Sequence, residues 1–146
     1  MEKRIIKFRG YVLNEKRWVY GYYCVERIAN FHGTDMKEMH VIKDADIPTL
    51  KFFVNPESVG QLTGKFDQKK KEIYEGDIVS LTKTIQNYDD DDGWNPRNHF
   101  TPQYSEVLRK GVVFYKPPSF NVNIDCRDWS KFTVIGNIFE NPELLN

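Results

Sequence analysis

Lysines are the residues of this sequence whose type and spacing most clearly suit a chemical task. Four of them, Lys65, Lys69, Lys70 and Lys71, lie within seven residues, and Tyr74 follows shortly after them. Lysines neutralise phosphate groups and an aromatic ring can stack on a base, which are the two requirements of a single-strand nucleic-acid site. The same lysines can instead keep a strand edge from pairing with other chains. The sequence favours this second interpretation and leaves the first open.

An acidic run, Asp89 to Asp92, is followed by Gly93 and invites comparison with a calcium-binding loop. If Gly93 took the sixth position of an EF-hand loop, Tyr88 would be at the first position and His99 at the twelfth. Neither side chain supplies the carboxylate that those positions require. The run is therefore predicted to be a solvated acidic loop.

Histidines and cysteines show no spacing that indicates a metal site or a catalytic pair. His32, His40 and His99 are scattered, and Cys24 and Cys126 are far apart along the chain. We predict two reduced thiols, no catalytic residue, no metal and no cofactor. An enzyme whose chemistry the sequence does not reveal stays an open alternative.

The elements that must position these residues have the two-residue periodicity of β-strands. The clearest case is Phe120 to Ile124, where apolar side chains alternate with asparagines. We expect mostly β structure with little helix, and strands over residues 5–13, 17–26, 39–42, 51–54, 78–85, 111–115, 120–124 and 132–139. A bulge or bend is expected at Gly136, inside the last of these strands.

The second of these strands carries large side chains on both faces. Trp18, Tyr20 and Tyr22 fall on one side, while Tyr23 and Val25 fall on the other. Strands that are apolar on both faces are usually buried on both. We therefore expect this strand to be covered on both sides.

Composition indicates a folded chain without a global attraction to nucleic acid. The 146 residues are 40% hydrophobic and 14% aromatic, and 21 Lys and Arg residues balance 21 Asp and Glu residues. Zero net charge means that a local basic patch must carry any binding of phosphates. No apolar run approaches the roughly 18 residues of a membrane span, so a cytoplasmic protein without membrane contact is expected.

Four short blocks, in the same order as in a known family, carry a resemblance to it. Residues 57–64 read ESVGQLTG and residues 71–79 read KEIYEGDIV, while an opening IKFR at residues 6–9 and a closing VIGNIFENPELL at residues 134–145 follow the same order. In these blocks the chain resembles the YopX-like family of phage and prophage proteins. The residues of the 71–79 block fit structural roles, with Tyr74 as core and Gly76-Asp77 as a turn in which Asp77 binds backbone amides.

The resemblance implies a single YopX-like domain over residues 1–146, encoded by a phage or prophage. It implies an N-terminal β region over residues 1–64 and small coiled sheets containing an SH3-like barrel over residues 65–146, with a loop insertion near 87–104. It brings no activity, because the family is functionally uncharacterised.

Together these observations predict a non-catalytic binding or assembly module that acts through protein–protein contacts, either with its own copies or with another protein. The alternative is a nucleic-acid-binding small barrel that uses the basic cluster between Lys65 and Lys71, with Tyr74 as a further contact. No small-molecule substrate is evident from the sequence.

Overall fold

A computed structural model describes residues 5–30, 32–87, 103–124 and 126–146 of the chain. The acidic run Asp89–Asp92 lies outside these residues, as does most of the loop insertion expected near 87–104. The strands that flank this insertion end at Asn87 and begin at Gln103.

Ten strands are present in the described ranges, and six of them form the first sheet. These six are β1 (Phe8–Val12), β2 (Arg17–Ala29), β3 (Met36–Asp44), β4 (Lys51–Phe53), β5 (Gly60–Phe66) and β6 (Glu72–Tyr74). Their order in the sheet is β4-β3-β2-β1-β5-β6, and every pairing is antiparallel.

The second sheet contains the remaining strands, β7 (Asp77–Asn87), β8 (Gln103–Lys116), β9 (Ser119–Val122) and β10 (Thr133–Asn137). It is also antiparallel, in the order β10-β7-β8-β9, and its register shifts between Val134 and Gly136, which confirms the bulge expected there. Helical structure in the described parts of the chain is limited to 3₁₀ turns at Pro56–Ser58, Trp129–Lys131 and Pro142–Leu145.

The expected mostly β fold is thus confirmed, whereas an SH3-like barrel is not. Neither sheet closes on itself within the described residues, because β4 and β6 end the first sheet and β10 and β9 end the second. The chain passes from one sheet to the other between Tyr74 and Asp77. Strand β5 continues through Gly64, whose positive φ of 75° accompanies an irregular register.

Each sheet contributes a small core. In the first sheet Val12, Val19, Ile42 and Val54 are buried together. The second core contains Ile73, Val79, Leu81, Val113 and Phe132. Ile73 belongs to β6 of the first sheet, so that its burial in the second core helps to join the two sheets.

The expectation that β2 is covered on both faces is wrong along much of the strand. Val19 is buried, but Tyr20 is 45% exposed, Tyr22 57% and Val25 45%. Pairing with β1 does not prevent this, since Tyr20 is exposed although Arg9 is its register partner; a neighbouring strand lies beside β2 in the sheet and does not cover its faces. Among the described residues, no helix is long and apolar enough to cross a membrane.

Candidate functional site

A cleft of about 520 Å³ lies between the two sheets. Strands β1, β2 and β6 supply one wall, and β10 with the turn that follows it supplies the other. The side chains that dominate the cleft are charged or aromatic: Lys7, Arg9, Trp18, Tyr20, Lys71, Glu72, Tyr74, Asp77 and Glu140.

Arg9 is the buried centre of this cleft, with 8% of its surface exposed. Its Nη1 lies 2.6 Å from Asp77 Oδ1, and its Nη2 donates to the Glu75 carbonyl at 3.2 Å. The guanidinium carbon is 4.7 Å from the Trp18 ring centroid and 5.0 Å from that of Tyr74. Because Arg9 belongs to the first sheet and Asp77 begins the second, this ion pair joins the sheets.

Asp77 also holds the turn that precedes it. Its Oδ2 accepts a hydrogen bond from the Tyr74 backbone N–H at 2.8 Å, which confirms the role expected from the sequence. Burial raises the pKa of Asp77, while the charge of Arg9 and the Tyr74 N–H act in the opposite direction. The carboxyl therefore serves as a structural acceptor at the junction of the sheets.

Tyr74 forms part of the cleft wall and is 3% exposed. Its hydroxyl donates to Glu72 Oε2 at 2.7 Å, and Lys7 Nζ donates to the same oxygen at 2.8 Å. Burial and the bond to Glu72 raise the pKa of Tyr74. Burial also tends to raise the pKa of Glu72, but its bonds to Lys7 and Tyr74 outweigh this and lower it. A contact between Tyr74 and a partner stays a prediction.

The connection between β5 and β6, residues 67–71, is named here the lysine turn. It is organised by Asp67, which is 2% exposed and accepts hydrogen bonds at Oδ1 from the backbone N–H groups of Lys69 (2.8 Å) and Lys71 (2.9 Å). Oδ2 accepts from the Val134 N–H at 3.1 Å, which fastens the turn to β10. Burial tends to raise the pKa of Asp67, but these N–H donors outweigh it and lower the pKa.

The structure brings three of the four predicted lysines together on this turn. Lys69, Lys70 and Lys71 are exposed there, Lys65 is exposed near the end of β5, and Lys71 also lines the cleft that Tyr74 borders. In the described portion of the chain these four side chains make no ion pair. Lys71 is close enough to Asp67 and Asp77 for its charge to lower the pKa of both carboxyls, so the charge that the turn presents to solvent comes mainly from Lys69 and Lys70.

Comparison with known families identifies the chain. Residues 7–146 match the sequence model described as YopX protein. The chain belongs to the YopX family. Among solved structures, the crystal structure of protein EF1440 from Enterococcus faecalis is similar, with 21% identity, a TM-score of 0.48, and coverage of 99% of this chain and 100% of the other. No curated protein sequence matches significantly.

Sequence reasoning missed two exposed residues of this YopX-family chain that lie beside the cleft. Tyr20 packs against Tyr74 with 5.6 Å between ring centroids, and Tyr22 is the next residue on the same face of β2. The alternating aromatics of β2 were the available signal, but they were interpreted as buried. The pattern alone does not indicate which part of a strand lacks a covering layer.

Candidate ligands for a metal ion do not cluster in the part of the chain that the structure describes. Within the described ranges, no group of three His, Cys, Asp or Glu side chains is arranged to hold a metal ion. Cys24 lies in the first sheet and Cys126 follows β9 of the second, and both are free thiols.

Proposed function

We propose that this YopX-family protein is a non-catalytic binding or assembly module that acts through protein–protein contacts, first of all with a second copy of itself. The observation that carries the proposal is a two-stranded ribbon formed by the outer parts of β2 and β3. The name β2–β3 ribbon is used here for residues 25–29 and their partners, residues 36–40.

The β2–β3 ribbon extends past the strands on both sides of it. Pairing of β1 with β2 ends at Gly21, and pairing of β4 with β3 covers only Val41 to Lys43. An isolated two-stranded ribbon is at best marginally stable in water. A ribbon of this kind gains stability when another chain covers it.

The side chains and the edges of the β2–β3 ribbon are suited to binding another chain. Val25 is 45% exposed, Ile28 40% and Met36 60%. Among the described residues neither edge of the ribbon has a further strand partner, although the His40 carbonyl accepts the Val54 N–H, so backbone groups of the edges can form a further ladder, as in complexes built by strand addition. Two copies that pair along one of these edges would satisfy its backbone groups, and the apolar side chains on the two faces of the ribbon would pack beside those of the partner.

The test compares the oligomeric state of the wild type with that of Ile28→Lys. The wild type is expected to show a concentration-dependent increase in mass by light scattering, because association buries Ile28. The substitution is expected to shift the midpoint of this increase at least about tenfold toward higher concentration, since a charge would be buried. Ile47→Lys is the matched control, because Ile47 is 54% exposed outside the ribbon.

A heterologous partner is the other outcome of the same experiment. A single host protein captured by the wild type and by Ile47→Lys, but not by Ile28→Lys, supports the binding module with a different occupant of the ribbon. A monomer at all concentrations that captures the same proteins with and without Ile28→Lys contradicts the proposal.

Nucleic-acid binding is a second candidate function, favoured by the lysine turn. Its lysines make no ion pair in the described parts of the chain, and Asp67 holds their backbone in one conformation. Replacing Lys65, Lys69, Lys70 and Lys71 by Gln is expected to reduce the salt dependence of single-strand binding. The slope of log K against log salt should fall by about 3.

Lys37→Gln is the control for this second candidate, because Lys37 is exposed on β3, away from the turn. Fluorescence anisotropy with a labelled oligonucleotide measures the slope. Absence of binding by the wild type at low salt, where phosphate contacts are strongest, contradicts the candidate. An origin in a phage or prophage and a location in the bacterial cytoplasm are proposed on the family resemblance.

A further inference from the structure

We propose that Tyr20 and Tyr22 form the base-stacking platform of a site for a single-stranded polynucleotide. The inference rests on the second candidate function and deepens it, because it adds to the lysine turn the surface that would recognise bases. The two rings project from one face of β2, and each residue is about half exposed.

Tyr20 and the lysine turn lie on the same cleft. Tyr20 and Lys71 both line it, and Lys7 Nζ is 5.4 Å from the centroid of the Tyr20 ring. Tyr20 rests on Tyr74, which is itself fixed by Glu72. One ring is therefore held in place by packing while 45% of its residue surface stays open.

Tyr22 extends the platform away from the cleft. Lys43 is its partner in register on β3, and on an antiparallel pair such partners lie on the same face. Lys43 is paired with Glu26 and Lys7 with Glu72, so these cations are largely neutralised. Lys69 and Lys70 of the lysine turn make no ion pair among the described residues and supply the charge that attracts phosphates, and the tyrosines supply the stacking faces.

This combination favours a single strand over other anionic partners. An acidic protein segment would be held by the lysines and would gain little from two exposed aromatic faces. In a duplex the bases are stacked on one another and cannot reach a ring on a flat sheet face. Unpaired bases can stack on aromatic side chains without regard to sequence.

The experiment measures anisotropy of labelled single strands of about 12 nucleotides, a length within the range that small β domains bind. The variants are Tyr22→Ala, Tyr20→Leu and Tyr20→Phe, and a DNA and an RNA strand form separate arms. Tyr22→Ala and Tyr20→Leu should each weaken binding about tenfold, because each removes one stacking face. Tyr20→Phe should bind like the wild type, and the salt slope should be unchanged in all three.

Tyr115→Ala is the matched control, because Tyr115 is 47% exposed on the second sheet. Circular dichroism and thermal unfolding show whether each variant is folded. If Tyr20→Leu does not fold, Tyr22→Ala alone tests the loss of a stacking face. Tighter binding of either strand type than of a duplex of equal length supports the platform.

Three results overturn the inference. If the four lysine substitutions abolish binding but the tyrosine variants bind like the wild type, the platform is wrong and the basic site stands. If polyglutamate competes as well as the oligonucleotide, the surface recognises charge alone and an acidic protein is the better partner. If no strand binds at low salt, the second candidate function and the platform fail together.

Discussion

Two buried carboxylates, Asp67 and Asp77, fix the loops from which the candidate site is built. Asp77 accepts the Tyr74 N–H and pairs with Arg9, so it sets the position of the aromatic wall. Asp67 accepts three backbone N–H groups, so it sets the conformation of the lysine turn. Both carboxylates are buried, and their role is to hold the residues of the candidate site in position.

Asp67→Asn is expected to lower the free energy of unfolding by about 1–3 kcal/mol at pH 7. One carboxylate oxygen would be replaced by an NH₂ group, so either the Val134 N–H or the lysine-turn N–H groups would lose an acceptor. Urea unfolding measures the change. Asp46→Asn is the control, because Asp46 is exposed in a turn and should give almost no change.

The same substitution gives a pH dependence with a defined sign. The pKa of Asp67 is lower in the folded protein than its usual value, so its stabilisation is present above the unfolded pKa of about 3.9. That stabilisation is lost as pH falls through the folded pKa. The stability difference between wild type and Asp67→Asn should therefore be constant from pH 5 to 7 and shrink below about pH 4. A difference that persists unchanged at pH 2 contradicts this account.

At the scale of elements, the unequal lengths of neighbouring strands decide which surfaces stay open. Strands β2 and β3 remain paired after β1 and β4 have ended. In the second sheet β7 and β8 pair along residues 78–87 and 103–112, whereas β10 pairs only with residues 77–80 of β7. Both long pairs thus form ribbons that continue past the strands beside them, and the β2–β3 ribbon follows from this.

Strand β5 must pass very close to the turn that leads into the second sheet. A Cβ added at Gly60 would lie 2.4 Å from the Glu75 carbonyl oxygen, which is backbone and cannot move aside cheaply. Gly60→Ala is therefore expected to cost about 1–3 kcal/mol of stability, measured by chemical denaturation.

Gly64→Asn, in the same strand, is the control for Gly60→Ala. A Cβ there would meet nothing within 4 Å, and asparagine tolerates the positive φ of 75° better than other side chains. Equal losses in the two variants would show that flexibility of β5, and not its close approach to Glu75, explains the cost.

At the scale of the whole molecule, the two sheets are joined by contacts that a local unfolding event would have to break. Gly76 N–H donates to the Val113 carbonyl at 2.8 Å, and its own carbonyl accepts from the Ile138 N–H at 2.9 Å. The Arg9–Asp77 pair and the burial of Ile73 in the second core add to this connection.

These connections predict that the sheets unfold together. Two variants, both with Trp94 replaced by Phe, each keep a single tryptophan. Trp129→Phe leaves Trp18 of β2 as the reporter of the first sheet, and Trp18→Phe leaves Trp129 as the reporter of the region beside the second sheet. In each variant the unfolding transition measured by tryptophan fluorescence should coincide with the transition measured by far-ultraviolet circular dichroism of the same variant. Transitions that separate would show two independent units.

Much of the fold was predictable because it depends on neighbours along the chain. The alternation around Phe120, the bulge at Gly136 and the role of Asp77 beside Gly76 all follow from residues a few positions apart. These signals are local, since pleating, φ preferences and short side-chain bonds operate over that range. The family match was likewise carried by short ordered blocks and is confirmed over residues 7–146.

Two features could not be predicted without the tertiary structure: the solvent exposure of Tyr20 and Tyr22, and the hydrogen bond from the Val134 N–H to Asp67. Asp67 and Val134 are 67 positions apart, and no spacing in the sequence links them. The exposure of the tyrosines depends on which parts of β2 other elements pack against, because alternation assigns a face but not its cover. The sequence by itself determined strands, turns, family and a run of lysines, whereas only long-range pairing decided that the lysines lie beside exposed aromatic rings.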